Sequence, residues 1–230
     1  PYVLNFVDPD TGVNATTNVG QTKAITMMKE WFNNSKDKFF VLSGRGGTGK
    51  TTIVERALEE FKTIDPMRSA DTYGQEINLA DFKQRVRFIL PTHKAKKVIQ
   101  EAAESFPDDQ FDTIASLLGY QRSFTGNKKT DGKFLKNNYV ADKRAEELWK
   151  ENIQLIVVDE ASMLSQVQTQ ELYDLVEGNK NIRVIFMGDE VQLPPIEGEL
   201  GEVLLSAVFD NVLGLGKTFP MGIDAEHNSN

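Results

Sequence analysis

The sequence has no cysteine and only two histidines, His93 and His227. Disulfides and thiolate metal centres are therefore excluded, and two histidines alone do not make a zinc site. No apolar run approaches the roughly 18 residues that a membrane-spanning helix needs, so no membrane association is expected. The opening PYVLNFVDPD lacks a basic leader and a long apolar stretch, and does not read as a secretory signal. The first residue is Pro1 rather than Met, so a processed chain or part of a longer one is expected. These absences point to a cytoplasmic setting, whether the gene is cellular, viral or phage-borne. Positive charge is also scarce: 34 acidic residues face 26 basic ones, for a net charge of −8.

The 230 residues suffice to bury one substantial core with a small appended element. The acidic excess is uneven. Gln121 to Lys136 holds Arg122, Lys128, Lys129, Lys133 and Lys136 against Asp131, a balance of +4. Lys94, Lys96 and Lys97 form a second basic cluster. Such stripes attract phosphates even on an acidic protein, although solvated faces have the same composition.

The pattern of elements predicts an α/β fold. Residues 1–17 read as irregular, with Asp-Pro, Thr-Gly and Asn punctuation. A helix is expected from about Gly20 to Phe32, a buried strand over Phe39 to Leu42 and a helix over Lys50 to Lys62. Residues 64–82 read as an inserted loop with one short helix. Val86 to Leu90 reads as a strand, followed by a helix over His93 to Phe106 and a short one over Thr113 to Leu118. Tyr120 to Asn138, with Gly126-Asn127 and Asp131-Gly132, reads as a β-hairpin. A helix over Ala141 to Glu151, a strand over Gln154 to Val158, a further helix and a strand over Arg183 to Met187 follow. Alternating strands and helices imply a parallel sheet covered on both faces. The expected organisation is a main domain of residues 18–119 and 139–215, interrupted by the hairpin 120–138 and followed by a tail, 216–230.

Three segments carry chemistry. GRGGTGKT, Gly44 to Thr51, fits GxxxxGK[ST] between a strand and a helix. Gly44, Gly46, Gly47 and Gly49 let backbone N–H groups turn toward phosphate oxygens, together with Arg45, Thr48 and the following Thr52. Lys50 would reach the β- and γ-phosphates, and the Thr51 hydroxyl would ligate Mg²⁺. IVVDEAS, Ile156 to Ser162, ends a strand with Asp159, placed for Mg²⁺, and Glu160, placed to polarise a water. GDEVQLPP, Gly188 to Pro195, ends another strand and offers Gln192 toward a γ-phosphate or the attacking water. ATP and Mg²⁺ are the expected cofactors.

With these motifs in this order, the chain resembles the superfamily-1 helicases, in the RecD- and Dda-like branch that moves 5′ to 3′ on single-stranded DNA. The resemblance covers about Gly20 to Pro195: GRGGTGKT is similar to motif I, VVDEAS to motif II and GDEVQLPP to motif III. NVGQTKA, Asn18 to Ala24, resembles the Q motif, which implies that Gln21 reads the adenine edge. ILPTHKAKK, Ile89 to Lys97, resembles motif Ia. That implies a DNA path along Pro91, Thr92, His93, Lys94 and Lys97. DTIASLLGY, Asp112 to Tyr120, resembles motif Ib and implies a DNA contact by Thr113, with Ala115 where the family carries His. The hairpin falls where this branch carries a strand-splitting pin. Its Phe124 and Phe134 either stack on a base or pack the hairpin onto the core.

The resemblance implies a RecA-like P-loop NTPase fold and a partner of single-stranded or fork DNA. It also implies a second motor domain, which supplies an arginine to the ATP. After Pro195 the sequence has about 35 residues and no arginine, since Arg183 is the last. The expectation is thus the first motor domain of a longer helicase, lacking its C-terminal motor domain. The alternative is a nucleotide- and single-strand-binding module without productive turnover. An unrelated P-loop ATPase, such as a loader or packaging motor, is disfavoured by GDEVQLPP and PTHKAKK.

Overall fold

Leu155, Ile156, Val157 and Val158 are all fully buried, as a strand inside a parallel sheet with two covered faces requires. The computed structural model describes residues 1–45, 47–62, 76–93, 99–100, 103, 105–124, 126, 132–188 and 222–223. Among the described residues, six parallel strands form the main sheet. In spatial order they are Gly222–Ile223 (β10), Phe39–Gly44 (β3), Arg183–Gly188 (β9), Leu155–Val158 (β8), Val86–Leu90 (β4) and Phe111–Thr113 (β5).

Two hydrophobic cores lie on opposite faces of this sheet, and the strand period of two divides the residues between them. Leu155 and Val157 join one core; Ile156 and Val158 join the other. Ile185 and Met187 alternate in the same way with Val184 and Phe186. The first face is covered by the helices Val19–Asn34 (α1), Lys50–Leu58 (α2) and Leu79–Lys83 (α3), which contribute Ile25, Met28, Ile53, Leu58 and Phe82. Ile114–Leu117 (α4), Asn138–Lys150 (α5) and Gln166–Glu177 (α6) contribute Leu117, Leu148 and Leu172 to the second. Burying each large aliphatic side chain stabilises the fold by about 1.5–3 kcal/mol.

Several boundaries differ from the sequence expectation. Residues expected to be irregular form an antiparallel hairpin, Val3–Val7 (β1) with Asn14–Thr16 (β2). Its turn is closed by Gly12 N–H donating to Asp8 O at 2.9 Å and Asp10 N–H donating to the Asp8 carboxylate at 2.8 Å. The punctuation was a turn between strands rather than a structureless leader. Helix α2 stops at Leu58, short of Lys62. In the helix expected over His93 to Phe106, His93, Ile99 and Gln100 are helical, whereas Ala103 and Phe106 are not. Pro107 disfavours the helical conformation at Phe106. Thr113, expected to begin a helix, instead ends the edge strand Phe111–Thr113 (β5), and the helix starts one residue later. Within the segment read as a tail, Gly222–Ile223 pairs in parallel with Ser43 and Gly44. The expected inserted hairpin is present as Tyr120–Arg122 (β6) and Phe134–Lys136 (β7), with Tyr120 opposite Lys136.

No described helix is long and apolar enough to cross a membrane. Because β3, β9, β8, β4 and β5 run parallel, their carboxyl ends meet at one edge. The segments after Gly44, Val158, Gly188 and Leu90 all leave from it. In such sheets this edge is where ligands bind.

Candidate nucleotide site and nucleic-acid face

Strand β3 delivers the glycine loop, and the loop's backbone takes conformations that favour glycine. Gly47 and Gly49 have φ of +77° and +78°. Gly49 is the N-cap of α2 and provides no side-chain cap, so the first amides of that helix face outward without a side-chain acceptor. A helix start of this kind favours anions. Thr48 is buried, and its hydroxyl donates to Arg45 O at 2.9 Å, which closes the loop on itself. Lys50 Nζ donates to Gly44 O at 2.7 Å and to Arg45 O at 3.0 Å. The ammonium is thereby held across the mouth of the loop. Thr51 and Thr52 are half-buried in the first turn of α2, and Arg45 is exposed. Gly46 lies outside the described residues.

Asp159 and Glu160 leave the carboxyl end of β8. Asp159 N–H donates to Ile89 O at 2.9 Å, continuing the ladder with β4, and the Asp159 carboxylate accepts from Glu160 N–H at 2.9 Å. Burial pushes the Asp159 carboxyl above the usual carboxylate range; the Glu160 amide and the Lys50 charge oppose that. Glu160 is raised as well, by burial and then by the Asp159 charge, again against Lys50. One cation from the loop therefore faces both acids. Glu160 stands at φ +48°, a left-handed conformation that costs a non-glycine residue about 1–2 kcal/mol. It opens a short 3-10 turn, Ala161–Met163.

Strand order explains the third segment's place. Strand β9 lies between β3 and β8, with Ser43 opposite Gly188 and Val158 opposite Phe186. A Cβ on Gly188 would stand 3.7 Å from Ser162 N and 3.9 Å from Ala161 N. The strand preceding GDEVQLPP thus ends against the turn that follows Glu160. Gln192 itself lies outside the described residues.

Gln21, which the resemblance implies reads the adenine edge, stands beside the glycine loop. It is the third residue of α1, capped by Asn18. Gln21 Oε1 accepts from Asn18 N–H at 3.1 Å, and Gln21 Nε2 donates to Thr48 O at 3.2 Å. The spacing Asn-x-x-Gln is a capping box and was legible as one; the bond to the glycine loop was not.

Thr51 and Asp159 offer one hydroxyl and one carboxylate, the donor set used by a Mg²⁺ ion shared with nucleotide phosphates. Among the described residues, no group of three or more His, Asp or Glu forms an all-protein cage.

The residues expected to meet nucleic acid do not all lie together. Pro91, Thr92 and His93 follow β4 at the same sheet edge, with Thr92 and His93 exposed. Lys94 and Lys97 lie outside the described residues. Thr113 does not belong to this face. It is 4% exposed, and its hydroxyl accepts from Ser116 N–H at 3.2 Å as the N-cap of α4. Its polar side chain serves the helix start, which accounts for a threonine at that point.

On the hairpin, Phe124 is 78% exposed and does not pack onto the core. Phe134 is half exposed, with the Arg122 guanidinium 5.4 Å from its ring centroid. The hairpin is fastened instead through Glu171 of α6, which accepts from Tyr120 OH at 3.0 Å and Lys136 Nζ at 2.6 Å. Burial, then the hydrogen bond to Glu171, raise the Tyr120 phenol. No local pattern marks Glu171, which is 35 residues from its Lys136 partner.

A parallel sheet with a glycine loop after β3 and an acid pair after β8, one strand apart, defines a P-loop nucleotide-binding domain of the α/β class. Residues 16–212 match the AAA domain family, and the chain belongs to it. The chain is 28% identical over 210 residues to an uncharacterized protein of Acanthamoeba polyphaga mimivirus, across 84% of this chain and 36% of the relative. Among solved structures it is similar to Bacteroides Pif1 bound to ssDNA, at 19% identity and a TM-score of 0.44, covering 84% of this chain and 36% of that one. It is also similar to the Pif1 helicase from Candida albicans, at 16% identity and a TM-score of 0.46, covering 79% and 34%. The chain spans about a third of the length of the relatives it matches.

Proposed function

We propose that this chain is the ATP-binding and ATP-hydrolysing first motor domain of a 5′-to-3′ single-stranded DNA translocase or helicase. The observation that carries the reading is the position of Lys50. Its ammonium bridges Gly44 O and Arg45 O at the loop, while its charge acts on both Asp159 and Glu160.

The loop amides and Lys50 bind the β- and γ-phosphates. Thr51 and Asp159 would hold Mg²⁺ beside those phosphates, where it would supply charge neutralisation. Glu160, more basic than a surface glutamate, takes a proton from the water that attacks the γ-phosphorus. The bond to the bridging oxygen breaks, and ADP and inorganic phosphate result. Gln192, beyond the end of β9, is proposed to link the γ-phosphate to the DNA track. Pro91, Thr92 and His93, with Lys94 and Lys97 after them, and the exposed Phe124 supply contacts to single-stranded DNA. The remaining motor domain of the longer protein is proposed to complete the track and to reach the nucleotide with an arginine.

One observation favours the second reading, a binding module with little turnover by itself. Arg183, the last arginine of the sequence, is committed to the end of α1 through three backbone carbonyls. An arginine supplied in trans is worth on the order of 10³–10⁵ in rate, so hydrolysis by the 230-residue chain is expected to be slow. Steady-state ATP hydrolysis, with and without single-stranded DNA, separates the readings when paired with nucleotide binding. Binding lost in Lys50→Ala supports the site; equal binding in parent and variant sinks it. DNA-stimulated turnover supports a motor domain, and binding without turnover supports the module.

A further inference from the structure

One carboxylate of α6 takes a donor from each strand of the hairpin. Tyr120 OH donates to one oxygen of Glu171 at 3.0 Å, and Lys136 Nζ donates to the other at 2.6 Å. Tyr120 stands opposite Lys136, and Arg122 opposite Phe134, so the phenol, the ammonium, the guanidinium and the Phe134 ring share one face of the hairpin. The contact is not sealed from solvent: the Lys136 and Glu171 side chains are 33% and 20% exposed. The base of the hairpin is also held by other means. The Tyr120 ring packs against the second core, and Asn137 N–H donates to Gly119 O at 2.9 Å. The strands are closed on each other by Ser123 N–H donating to Lys133 O at 2.9 Å. Opening the contact with Glu171 therefore leaves the hairpin folded and attached.

A hydroxyl and an ammonium that each take one oxygen of a carboxylate present the donors that a phosphodiester needs. Both anions offer two charged oxygens on one centre to such bonds. We infer that Tyr120 and Lys136 form a phosphate-binding pair for single-stranded DNA, and that Glu171 occupies this pair as a competitor built into the fold. The inference rests on the proposed contact between the hairpin and single-stranded DNA. With Glu171 in place, the Lys136 charge is cancelled and adds nothing to the attraction of a strand. A strand phosphate takes the pair only by displacing the carboxylate. Binding of every sequence is weakened alike, because phosphate contacts carry no base information. A carboxylate that only fastened the hairpin would act with the opposite sign, since its loss would loosen the hairpin and weaken binding.

The sign is read from binding of a fluorescent oligothymidylate, followed by anisotropy over a salt series. The 230-residue chain, Glu171→Gln, Lys136→Gln and the chain carrying both are compared, alongside thermal unfolding. Glu171→Gln removes the charge and keeps an acceptor oxygen. It is expected to bind about 3- to 10-fold more tightly at about 0.1 M salt, with a slope of log affinity against log salt steeper by about 0.7, the worth of one phosphate contact. Glu171→Met, neutral and of similar length, is expected to show the same gain, so the result does not depend on one substitution keeping its fold. Added to Lys136→Gln, the Glu171→Gln change is expected to alter affinity by less than about 2-fold. Tyr120→Phe keeps the ring against the core and deletes the hydroxyl; added to Glu171→Gln, it is expected to weaken binding by about 2-fold or more, as loss of one hydrogen bond implies. Unchanged or weaker binding in both neutral variants of Glu171 overturns the competitor. A gain of equal size with and without Lys136 marks a general charge effect and overturns the pair, as does a Tyr120→Phe change without effect. No binding by the parent or any variant overturns the proposed DNA contact itself, and this inference with it.

Discussion

Arg183 Nη1 donates to the carbonyl of Trp31 at 2.9 Å, from the first residue of β9 to the last turn of α1. The same nitrogen reaches Phe32 O at 2.7 Å, and Nη2 reaches Ser35 O at 2.8 Å. A cation belongs at this helix end, where carbonyls outnumber donors and the helix dipole is negative. The guanidinium also lies over the rings of Phe32 and Trp31, 5.1 and 5.7 Å from their centroids.

Arg183→Ala removes the donor from three carbonyls at once. The expected cost is about 2–4 kcal/mol of folding stability. A chemical-denaturation midpoint equal to the parent's would show that solvent satisfies those carbonyls equally well.

Lys50→Ala and Glu160→Gln should fail differently. The first removes the charge that faces the phosphates and should abolish most nucleotide affinity. The second keeps the loop and Lys50, so ATP should remain bound while hydrolysis falls by about 10²-fold or more. Single-turnover hydrolysis together with nucleotide binding distinguishes them; equal turnover in Glu160→Gln and parent would remove Glu160 from the base role.

Asp159 is expected to oppose folding at neutral pH. Burial raises its pKa in the folded state, so the folded protein binds more protons than the unfolded chain above about pH 4. The stability tied to this group is fully present below the unfolded value and is lost as pH rises through the folded one. Asp159→Asn should therefore be more stable than the parent at pH 7, in the absence of nucleotide and divalent ions, with the advantage vanishing below about pH 4. Thermal unfolding across that range checks the sign, and a destabilised Asn variant at pH 7 would contradict it.

Gly119 and Gly132 should tolerate alanine unequally. Both have positive φ, +78° and +80°. A Cβ on Gly119 would come within 2.6 Å of Ala141 N, whereas nothing lies within 4 Å of one on Gly132. Gly132→Ala should lose only the left-handed penalty, about 1–2 kcal/mol. Gly119→Ala should lose that and a further 1–3 kcal/mol as α5 or the hairpin shifts. Similar unfolding midpoints for the two variants would count against the close approach.

Phe124→Ala should leave stability within about 0.5 kcal/mol of the parent's, because the ring makes no core contact. If the hairpin meets single-stranded DNA, binding should weaken by about 1–3 kcal/mol, the worth of one stacked base. Unchanged affinity in a fluorescence titration would make Phe124 a bystander.

The strands of the main sheet were readable because two-sided burial writes continuous apolar runs, as in Leu155–Val158 and Val86–Leu90. The glycine loop and acid pair were readable because their chemistry demands particular residues at fixed spacing. The N-terminal hairpin was not, since β1 buries only Leu4 and shows no sustained alternation. Thr113 misled because a buried cap and a surface contact look alike in sequence. Gln21–Thr48 and Tyr120–Glu171 join residues 27 and 51 positions apart, and local pattern carries no record of such pairings. The left-handed backbone of Glu160 was equally silent, because a residue with a Cβ is a poor candidate for it.

Glu171 lies five residues into α6, roughly 8 Å along the axis from its start at Gln166. That start follows Ser165, just beyond the turn that Glu160 opens. The helix that anchors the hairpin at its middle thus begins a few residues after the acid pair. The grips of Tyr120 and Lys136 on Glu171 therefore place the hairpin's side-chain anchor less than two helical turns from the start of that helix.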